Sequence, residues 1–203
     1  MLFAFCGIDG SGKTTVIDNV YKKLRVNHSK VEKTKVNLES LKIWYEYSEK
    51  YFSDIYEFYD AVNPDLVRIG VALDFVKHYK RKKFDSNAIV LCDRFSLCYL
   101  AYGLAYGMKE VETMNKMFNL VEEPVIYFYF DIEPDRAIER LIGRFDYNER
   151  EENFELLCKV KMAYDKLLAN KKNVVTINAN LKCEQITEVV YNTIAETCSL
   201  HKN

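Results

Sequence analysis

The stretch that decides the fold is G-I-D-G-S-G-K-T-T, which spans residues 7–15 near the start of the chain. A glycine, four further residues and then Gly12-Lys13-Thr14 form the pattern of a phosphate-binding loop. Glycines allow tight folding with several N–H groups pointing inward, and the following helix directs the positive end of its dipole at the phosphates. We therefore expect a nucleoside triphosphate to be bound by Gly7, Gly10, Ser11, Gly12, Lys13, Thr14 and Thr15.

The two residues after the last glycine have separate chemical roles in this pattern. Lys13 reaches the β- and γ-phosphates, and the Thr14 hydroxyl ligates Mg²⁺. An ordinary glycine-rich turn is the alternative interpretation. The motif lies between an apolar run, Leu2–Cys6, and a helical pattern, which is the context that a phosphate-binding loop requires. The sequence therefore favours a phosphotransferase that uses ATP and Mg²⁺.

Apolar runs and helical patterns alternate along the rest of the chain. Further strands are predicted at residues 33–38, 88–92, 124–131 and 174–177, and helices are predicted at 13–24, 41–59, 134–143, 153–169 and 186–198, with others beginning at 64 and 96. Apolar strands that alternate with helices are typical of a parallel sheet covered on both faces. We expect an α/β fold: a three-layer P-loop NTPase sandwich with a five-stranded parallel sheet, formed by one domain over residues 1–203.

A charged pair, Asp93-Arg94, follows the third predicted strand directly. Ligands bind beyond the carboxyl ends of parallel strands, so this pair is expected in the same cleft as the glycine loop. A carboxylate at this position favours Mg²⁺ binding together with Thr14, and the planar guanidinium of Arg94 suits a phosphate. The alternative is a purely structural pair at the end of a strand.

Three arginines, Arg136, Arg140 and Arg144, are spaced by four residues and therefore line one face of a helix. Gly143 weakens this helix near its end, and a highly charged segment follows. A segment of this kind can close over a bound triphosphate and exclude water. Residues 140–152 are therefore a candidate lid.

The lid interpretation gives its arginines distinct roles. Arg140 and Arg144 would act as catalytic groups on the transferring phosphoryl, and Arg150 would contact the triphosphate. The alternative is a solvated helix face with salt bridges. That alternative explains Arg136 well, because Glu139 follows it at ion-pair spacing.

Taken together, these residues resemble the thymidylate kinase family. The loop at residues 7–15 closely resembles the family's phosphate loop, including an acid at the position of Asp9. Asp93-Arg94-Phe95, followed by Ala101-Tyr102, is similar to the family's Asp-Arg-Tyr…Ala-Tyr signature, and Arg140-Leu-Ile-Gly-Arg144 looks like its lid. The resemblance spans most of the chain and is strongest in the first loop.

The resemblance implies that the γ-phosphoryl group of ATP is transferred to a nucleoside monophosphate, dTMP or a related nucleotide. It also implies Mg²⁺ dependence and a homodimer. Carried over by position, Asp9 contacts the acceptor sugar or its bound water, Arg94 holds the acceptor phosphate and Tyr102 helps to shape the sugar site. Lys13 and the lid arginines would stabilise the transferring group.

The acceptor side departs from the family pattern. Val71 stands where the family has an aromatic residue that stacks on thymine, and Phe75 stands where it has an arginine. The family's Arg-Glu-Pro-Gly-like segment is missing, and Cys98-Tyr99 replaces its Ser-[Thr/Asn] pair. Such changes remove donors that would form hydrogen bonds with the edge of a base. We therefore interpret the acceptor-binding half of the site as different from that of the family. Arg68, one helical turn before Ala72, is a candidate substrate-binding residue that would replace a missing phosphate contact.

Residues 44–59 are rich in aromatic side chains and have two interpretations. The rings either form core and dimer interface, or some of them line a pocket for a flat or apolar acceptor. Both interpretations stay open at the level of the sequence.

The composition of the chain argues against nucleic acids and membranes as partners. Lys and Arg number 29 and Asp and Glu number 30, so no excess of positive charge favours nucleic-acid binding. No apolar run reaches the roughly 18 residues that a membrane span needs, and residues 1–6 are too short for a signal peptide. The six cysteines form no Cys-x-x-Cys pair. We expect a cytoplasmic protein with reduced thiols.

Three functions remain open. The first is a nucleotide kinase of the thymidylate kinase type. The second is a kinase whose acceptor is a nucleoside or a small phosphorylated metabolite. The third is a nucleotide-binding regulator, although the Asn-Lys-x-Asp motif of a GTPase switch does not occur in the chain.

Overall fold

A parallel sheet forms the centre of the fold in this computed structural model, which describes residues 1–145, 147–149 and 152–200, without the side chains of residues 55 and 56. The sheet contains β1 (Leu2–Cys6), β2 (Val31–Lys35), β3 (Ile89–Asp93), β4 (Ile126–Asp131) and β5 (Val174–Asn178). Its strands pair in parallel in the order β2-β3-β1-β4-β5. The predicted five-stranded parallel sheet is confirmed.

Helices flank this sheet and connect its strands. They are α1 (Lys13–Asn27), α2 (Glu39–Tyr51), α3 (Ile55–Ala61), α4 (Pro64–Arg81), α5 (Ser96–Ala105), α6 (Val111–Phe118), α7 (Pro134–Ile142), α8 (Phe154–Leu168) and α9 (Cys183–Leu200). Helix α1 packs against α9, and α5 packs against α8. The predicted α/β sandwich is therefore correct.

Aromatic side chains on the central strands fill the core. Phe3, Phe5 and Phe128 are completely buried, and the Phe5 and Phe128 ring centroids lie 5.3 Å apart in a tilted arrangement. Burial of large rings is the main favourable contribution to folding at such positions. The apolar runs that predicted β1 and β4 are thus buried as the interior of the sheet.

The second strand is shifted from its predicted position at residues 33–38. Strand β2 ends at Lys35, which pairs in register with Asp93 at the end of β3. Beyond this point β3 offers no further partner, so the ladder stops. Val36 is nevertheless buried, which explains why the apolar pattern continued past the strand.

The single helix predicted over residues 41–59 is wrong, because the chain breaks between α2 and α3. Asp54 accepts a hydrogen bond from the backbone N–H of Glu57, at 2.8 Å. The Glu57 carboxylate in turn accepts from the backbone N–H and the hydroxyl of Ser53, at 2.8 and 2.6 Å. These reciprocal bonds begin a new helix in the manner of a capping box.

The aromatic side chains of residues 44–59 divide between the interior and the surface. Phe58 and Tyr59 are buried in the core, whereas Tyr47 and Tyr51 are exposed. The core interpretation is therefore correct for part of this stretch.

All six cysteines are free thiols in the structure. Within the part of the chain that the structure describes, every helix is too short or too polar to traverse a bilayer.

Candidate active site

Strand β1 lies between β3 and β4 in the sheet. The loop that joins β1 to α1 therefore lies at the carboxyl edge of the sheet, flanked by the ends of β3 and β4. Gly10 has a φ of 81°, a left-handed conformation that glycine adopts without strain. A Cβ atom at this position would lie 2.4 Å from the carbonyl oxygen of Ala137 on α7. The close approach of α7 therefore requires glycine here, and it brings that helix against the phosphate loop.

Lys13 folds back over the loop. Its side chain is buried, and Nζ donates hydrogen bonds to the carbonyl oxygen of Ile8 at 2.8 Å and to Ser11 Oγ at 3.0 Å. Burial lowers the pKa of Lys13, and the nearby Arg94 guanidinium lowers it further. Both hydrogen-bond acceptors are neutral, so a phosphate oxygen offers this cation a stronger partner.

Tyr164 supports the loop from the opposite side, a role that the sequence did not predict. This tyrosine on α8 is fully buried, and its hydroxyl accepts a hydrogen bond from the backbone N–H of Gly7 at 3.2 Å. No motif marks the position, because the contact joins residues that are 157 positions apart.

Two oxygen ligands suited to Mg²⁺ meet beside the loop. The Thr14 hydroxyl donates to Asp93 Oδ2 at 3.3 Å. Lys35, at the end of β2, places its Nζ 3.6 Å from the same carboxylate oxygen. The predicted Thr14–Asp93 pair is therefore brought together, and Lys35 is an additional cation that sequence analysis missed.

A second cluster in the site joins Asp9, Arg94 and Tyr102. Arg94 Nη2 donates to one carboxylate oxygen of Asp9, and the Tyr102 hydroxyl donates to the other. The Arg94 guanidinium also lies over the Tyr102 ring, 5.1 Å from its centroid. Arg94 has a φ of 71°, a conformation that is strained for a non-glycine residue. The surrounding contacts thus stabilise an unfavourable backbone conformation, and this conformation directs the Arg94 side chain into the cleft.

Asp9 remains ionised because of this environment. Burial alone would raise its pKa, but the positive charges of Arg94 and Lys13 and the hydrogen bond from Tyr102 lower the pKa to about 2. Asp9 is therefore a carboxylate at neutral pH.

The predicted lid arginines are placed differently from one another. Arg140 spans the phosphate loop and the segment after β5, donating to Gly10 O at 3.5 Å and to Ala179 O at 3.0 Å. Arg144 pairs with Glu152 at 3.3 Å. Arg136 faces solvent and pairs with Glu139 at 3.4 Å, as the salt-bridge interpretation expected. Arg150 lies outside the described residues.

One cavity of about 660 Å³ collects most of the predicted site. Its lining includes Asp9, Gly10, Gly12, Lys13, Thr14, Thr15, Lys35, Asp93, Arg94, Arg140, Arg144 and Glu152. Residues from the first loop, the end of β3 and α7 therefore meet as the topology predicts. Tyr102 joins the cluster through Asp9.

The substituted positions of α4 do not face this cavity. Val71 and Phe75 are completely buried. The Phe75 ring packs edge-on against Phe95 and Phe118, with each pair of centroids 4.9 Å apart. The phenylalanine in place of the family's arginine is thus a core residue. Arg68 is buried separately beside Tyr59, whose hydroxyl accepts from its Nη2 at 2.8 Å.

Comparison with known proteins agrees with the resemblance seen in the sequence. A family model described as thymidylate kinase matches residues 70–190, which is more than half of the chain. A probable thymidylate kinase of Sulfurisphaera tokodaii is 31% identical over 98% of this chain and 96% of its own. The thymidylate kinase of Oceanobacillus iheyensis is 30% identical over 93% of this chain and 86% of its own. The match to the Sulfurisphaera tokodaii protein leaves out too few residues of this chain to omit the phosphate loop, which precedes the segment that the family model matches.

Proposed function

The chain belongs to the thymidylate kinase family and is a nucleotide kinase, and we propose that its acceptor is thymidine monophosphate. The family match supports thymidine monophosphate as the acceptor, and the observation that carries the transfer is one cavity lined by both the phosphate loop and Arg94, with Tyr102 bound to Asp9 beside it. One side of the cavity suits a triphosphate, and the other suits the phosphate and sugar of an acceptor.

On the donor side, backbone N–H groups of the loop and the start of α1 hold the ATP phosphates. Lys13 exchanges its neutral partners for phosphate oxygens. Arg140 and Arg144 lie along the same cavity and offset the negative charge that develops on the transferring group. We assign Arg150 to triphosphate binding on the basis of sequence alone.

On the acceptor side, Arg94 releases one carboxylate oxygen of Asp9 and binds the acceptor phosphate with its planar fork of donors. Asp9 then accepts a hydrogen bond from the acceptor sugar or from a water on it, and Tyr102 fixes the orientation of Asp9. Placing the acceptor phosphate in line with the donor accounts for much of the catalysis in phosphoryl transfer.

The residues present fit a magnesium ion. Mg²⁺ is usually held by one or two protein oxygens together with substrate phosphates and water, and Thr14 and Asp93 supply two oxygens beside the phosphate loop. When bound, the ion neutralises phosphate charge. We propose Thr14 and Asp93 as the residues that hold it.

Removing the Thr14 hydroxyl tests the magnesium site. Thr14→Val keeps the shape of the side chain and is expected to raise the Mg²⁺ concentration for half-maximal activity by about tenfold or more. Titration of activity with Mg²⁺ at saturating ATP measures this shift. Thr113→Val, on the distant helix α6, serves as the control. Equal Mg²⁺ requirements for the two variants would assign the metal to other residues.

The acceptor is tested by measuring ADP release with a panel of nucleoside monophosphates, nucleosides and small phosphorylated metabolites. We expect the highest kcat/KM with dTMP. A preference for a nucleoside or a metabolite would transfer the assignment to that class of acceptor. Silence with every monophosphate would exclude the proposed reaction.

We also propose that the chain forms a homodimer through α4. Leu66 and Leu73 on this helix are 57% and 58% exposed, and the half-buried Ile69 and Val76 continue the same stripe at helical spacing. An exposed apolar stripe of this kind is typical of an interaction surface.

Sedimentation velocity should show a dimer for the unchanged chain and a monomer for Leu73→Lys. A monomer in both cases would refute this assembly.

A further inference from the structure

The first glycine of the phosphate loop is held by a hydroxyl group from a distant helix. The Tyr164 hydroxyl accepts a hydrogen bond from the Gly7 N–H at 3.2 Å and donates to the Gly7 carbonyl oxygen at 3.4 Å. A hydroxyl has one proton and two lone pairs, so it can pair with both groups of one residue. The Gly7 N–H is therefore bonded to the protein interior and is not directed at a bound phosphate.

The backbone of Gly7 is enclosed on its other sides as well. Gly7 is buried and has a φ of 141°, a conformation that favours glycine. A Cβ atom here would lie 2.7 Å from the carbonyl oxygen of Phe130 and 3.1 Å from Ser11 Oγ. The chain leaves β1 at this residue, so the orientation of the Gly7 peptide groups sets the course of the loop that follows.

Tyr164 is itself held in a fixed position. Its ring is completely buried and packs against the Tyr129 ring, with the centroids 5.1 Å apart. Tyr129 lies on β4 in register with Cys6, the last residue before the loop. On the same helix as Tyr164, Lys161 pairs with Asp131 at the end of β4, at 2.6 Å. Helix α8 is thus tied to the sheet, and the hydroxyl is a rigid point of attachment for the loop.

The Tyr164 hydroxyl stays protonated in this environment. Burial raises the pKa of Tyr164 well above its ordinary value, and the neighbouring sulfur atoms of Cys98 and Cys6 raise the pKa further. The hydrogen bonds to Gly7 are therefore formed by a neutral hydroxyl at neutral and moderately alkaline pH.

A purely structural role for this hydroxyl is the alternative. A buried hydroxyl and a buried N–H both need partners, and the contact satisfies both. Without the hydroxyl, an unpaired Gly7 N–H would cost about 1–3 kcal/mol. The cost is relieved only if the Gly7 peptide rotates, and such a rotation also moves the N–H groups that follow in the loop. The two roles therefore differ in their effect on ATP affinity.

We infer that Tyr164 is a positioning residue for the donor phosphates. Its hydroxyl fixes Gly7, so that the N–H groups further along the loop are preorganised before ATP binds. Tyr164 lies behind the loop and does not line the cavity, so it acts through Gly7 alone. This inference rests on the proposed function, because it assigns a residue to the donor side of that reaction.

The test compares Tyr164→Phe with Tyr191→Phe. Both substitutions keep the ring and remove a hydroxyl that accepts one hydrogen bond, which in Tyr191 comes from Asn27 at 3.1 Å, on helices away from the loop. Calorimetry without an acceptor measures the dissociation constant of ATP, and steady-state kinetics measure KM for ATP and for dTMP.

Tyr164→Phe is expected to raise the dissociation constant and KM of ATP by about five- to thirtyfold, whereas Tyr191→Phe changes neither. KM for dTMP should stay within about twofold of the control, and kcat at saturating ATP within about threefold, because bound phosphates restore the loop geometry. The effect is thus expected on one substrate and mainly on KM, which a general loss of stability would not produce.

Thermal unfolding of both variants distinguishes the structural role. A lower melting temperature for Tyr164→Phe with an unchanged dissociation constant for ATP would overturn the inference. An equal rise in KM for ATP and dTMP would also overturn it, because it would show a general loosening of the site. If dTMP is not phosphorylated by the unchanged chain, the proposed function fails, and the dissociation constants for ATP still decide the role of Tyr164.

Discussion

Replacing Lys13 with methionine is expected to lower kcat by about 10²–10³-fold, the usual effect of removing one preorganised positive group from a transition state. Methionine fills a similar volume and has no charge. The backbone of the loop still offers N–H groups to the donor phosphates, so ATP binding should weaken less than catalysis. Steady-state kinetics with saturating ATP and dTMP measure kcat, and calorimetry measures ATP affinity.

Lys22→Met is the matched control for this experiment, because Lys22 is an exposed lysine on the same helix, α1. It should retain full activity. The folded state of Lys13→Met should also be at least as stable as that of the unchanged chain, since the substitution removes a buried cation that has only neutral hydrogen-bond partners. A kcat for Lys13→Met within about tenfold of the control would mean that the loop does not act as a catalytic phosphate site.

Replacing Arg94 with methionine is expected to affect activity and stability together. The acceptor phosphate loses its guanidinium partner, so kcat/KM for dTMP should fall by about 10²–10⁴-fold. Asp9, whose side chain is only 22% exposed in the unchanged chain, loses its ion pair, and this should cost about 2–3 kcal/mol of folding free energy. Steady-state kinetics and urea unfolding measure the two effects separately.

The stability loss has a defined pH dependence. The pKa of Asp9 is lowered from 3.8 to about 2 in the folded protein, so its ionised form stabilises the fold by about 2 kcal/mol above the unfolded pKa. That contribution disappears as the pH falls from about 4 towards 2. The difference in unfolding free energy between the unchanged chain and Arg94→Met should therefore be largest near neutral pH and shrink over this range.

A second substitution separates the two effects of Arg94. Adding Asp9→Asn to Arg94→Met removes the unpaired carboxylate and should restore most of the lost stability, while activity stays low because both acceptor-side groups are absent. If the double variant were as unstable as Arg94→Met, the ion pair would not be the cause of the stability loss. If Arg94→Met kept normal kcat/KM for dTMP, Arg94 would not hold the acceptor phosphate.

The donor half of the site was predictable from the sequence because its chemistry is local. The glycines, Lys13 and Thr14 lie in one short loop, and a strand and a helix next to that loop fix its geometry. Asp93 and Arg94 were also predictable, since the carboxyl ends of parallel strands meet at one edge of a sheet. The structure places these residues around one cavity.

The other parts depend on contacts between distant segments, which periodicity does not reveal. Tyr164 supports Gly7 from another helix, and Lys35 reaches Asp93 only because β2 is paired with β3. The break between α2 and α3 did have a local signal in Ser53, Asp54 and Glu57, but the surrounding aromatic residues favoured one continuous helix. The place of Phe75 in the core was not predictable either, because it depends on contacts with the rings of Phe95 and Phe118 from distant segments.

We propose that this kinase transfers the γ-phosphoryl group of ATP to dTMP. The most direct test incubates the chain with Mg²⁺, dTMP and ATP that carries a radioactive label in the γ-phosphate, and then separates the nucleotide products. We predict that the label appears in thymidine diphosphate, and that Lys13→Met forms this product at a rate lower by about 10²–10³-fold. Label found only in inorganic phosphate, or retained in ATP, would contradict the claim.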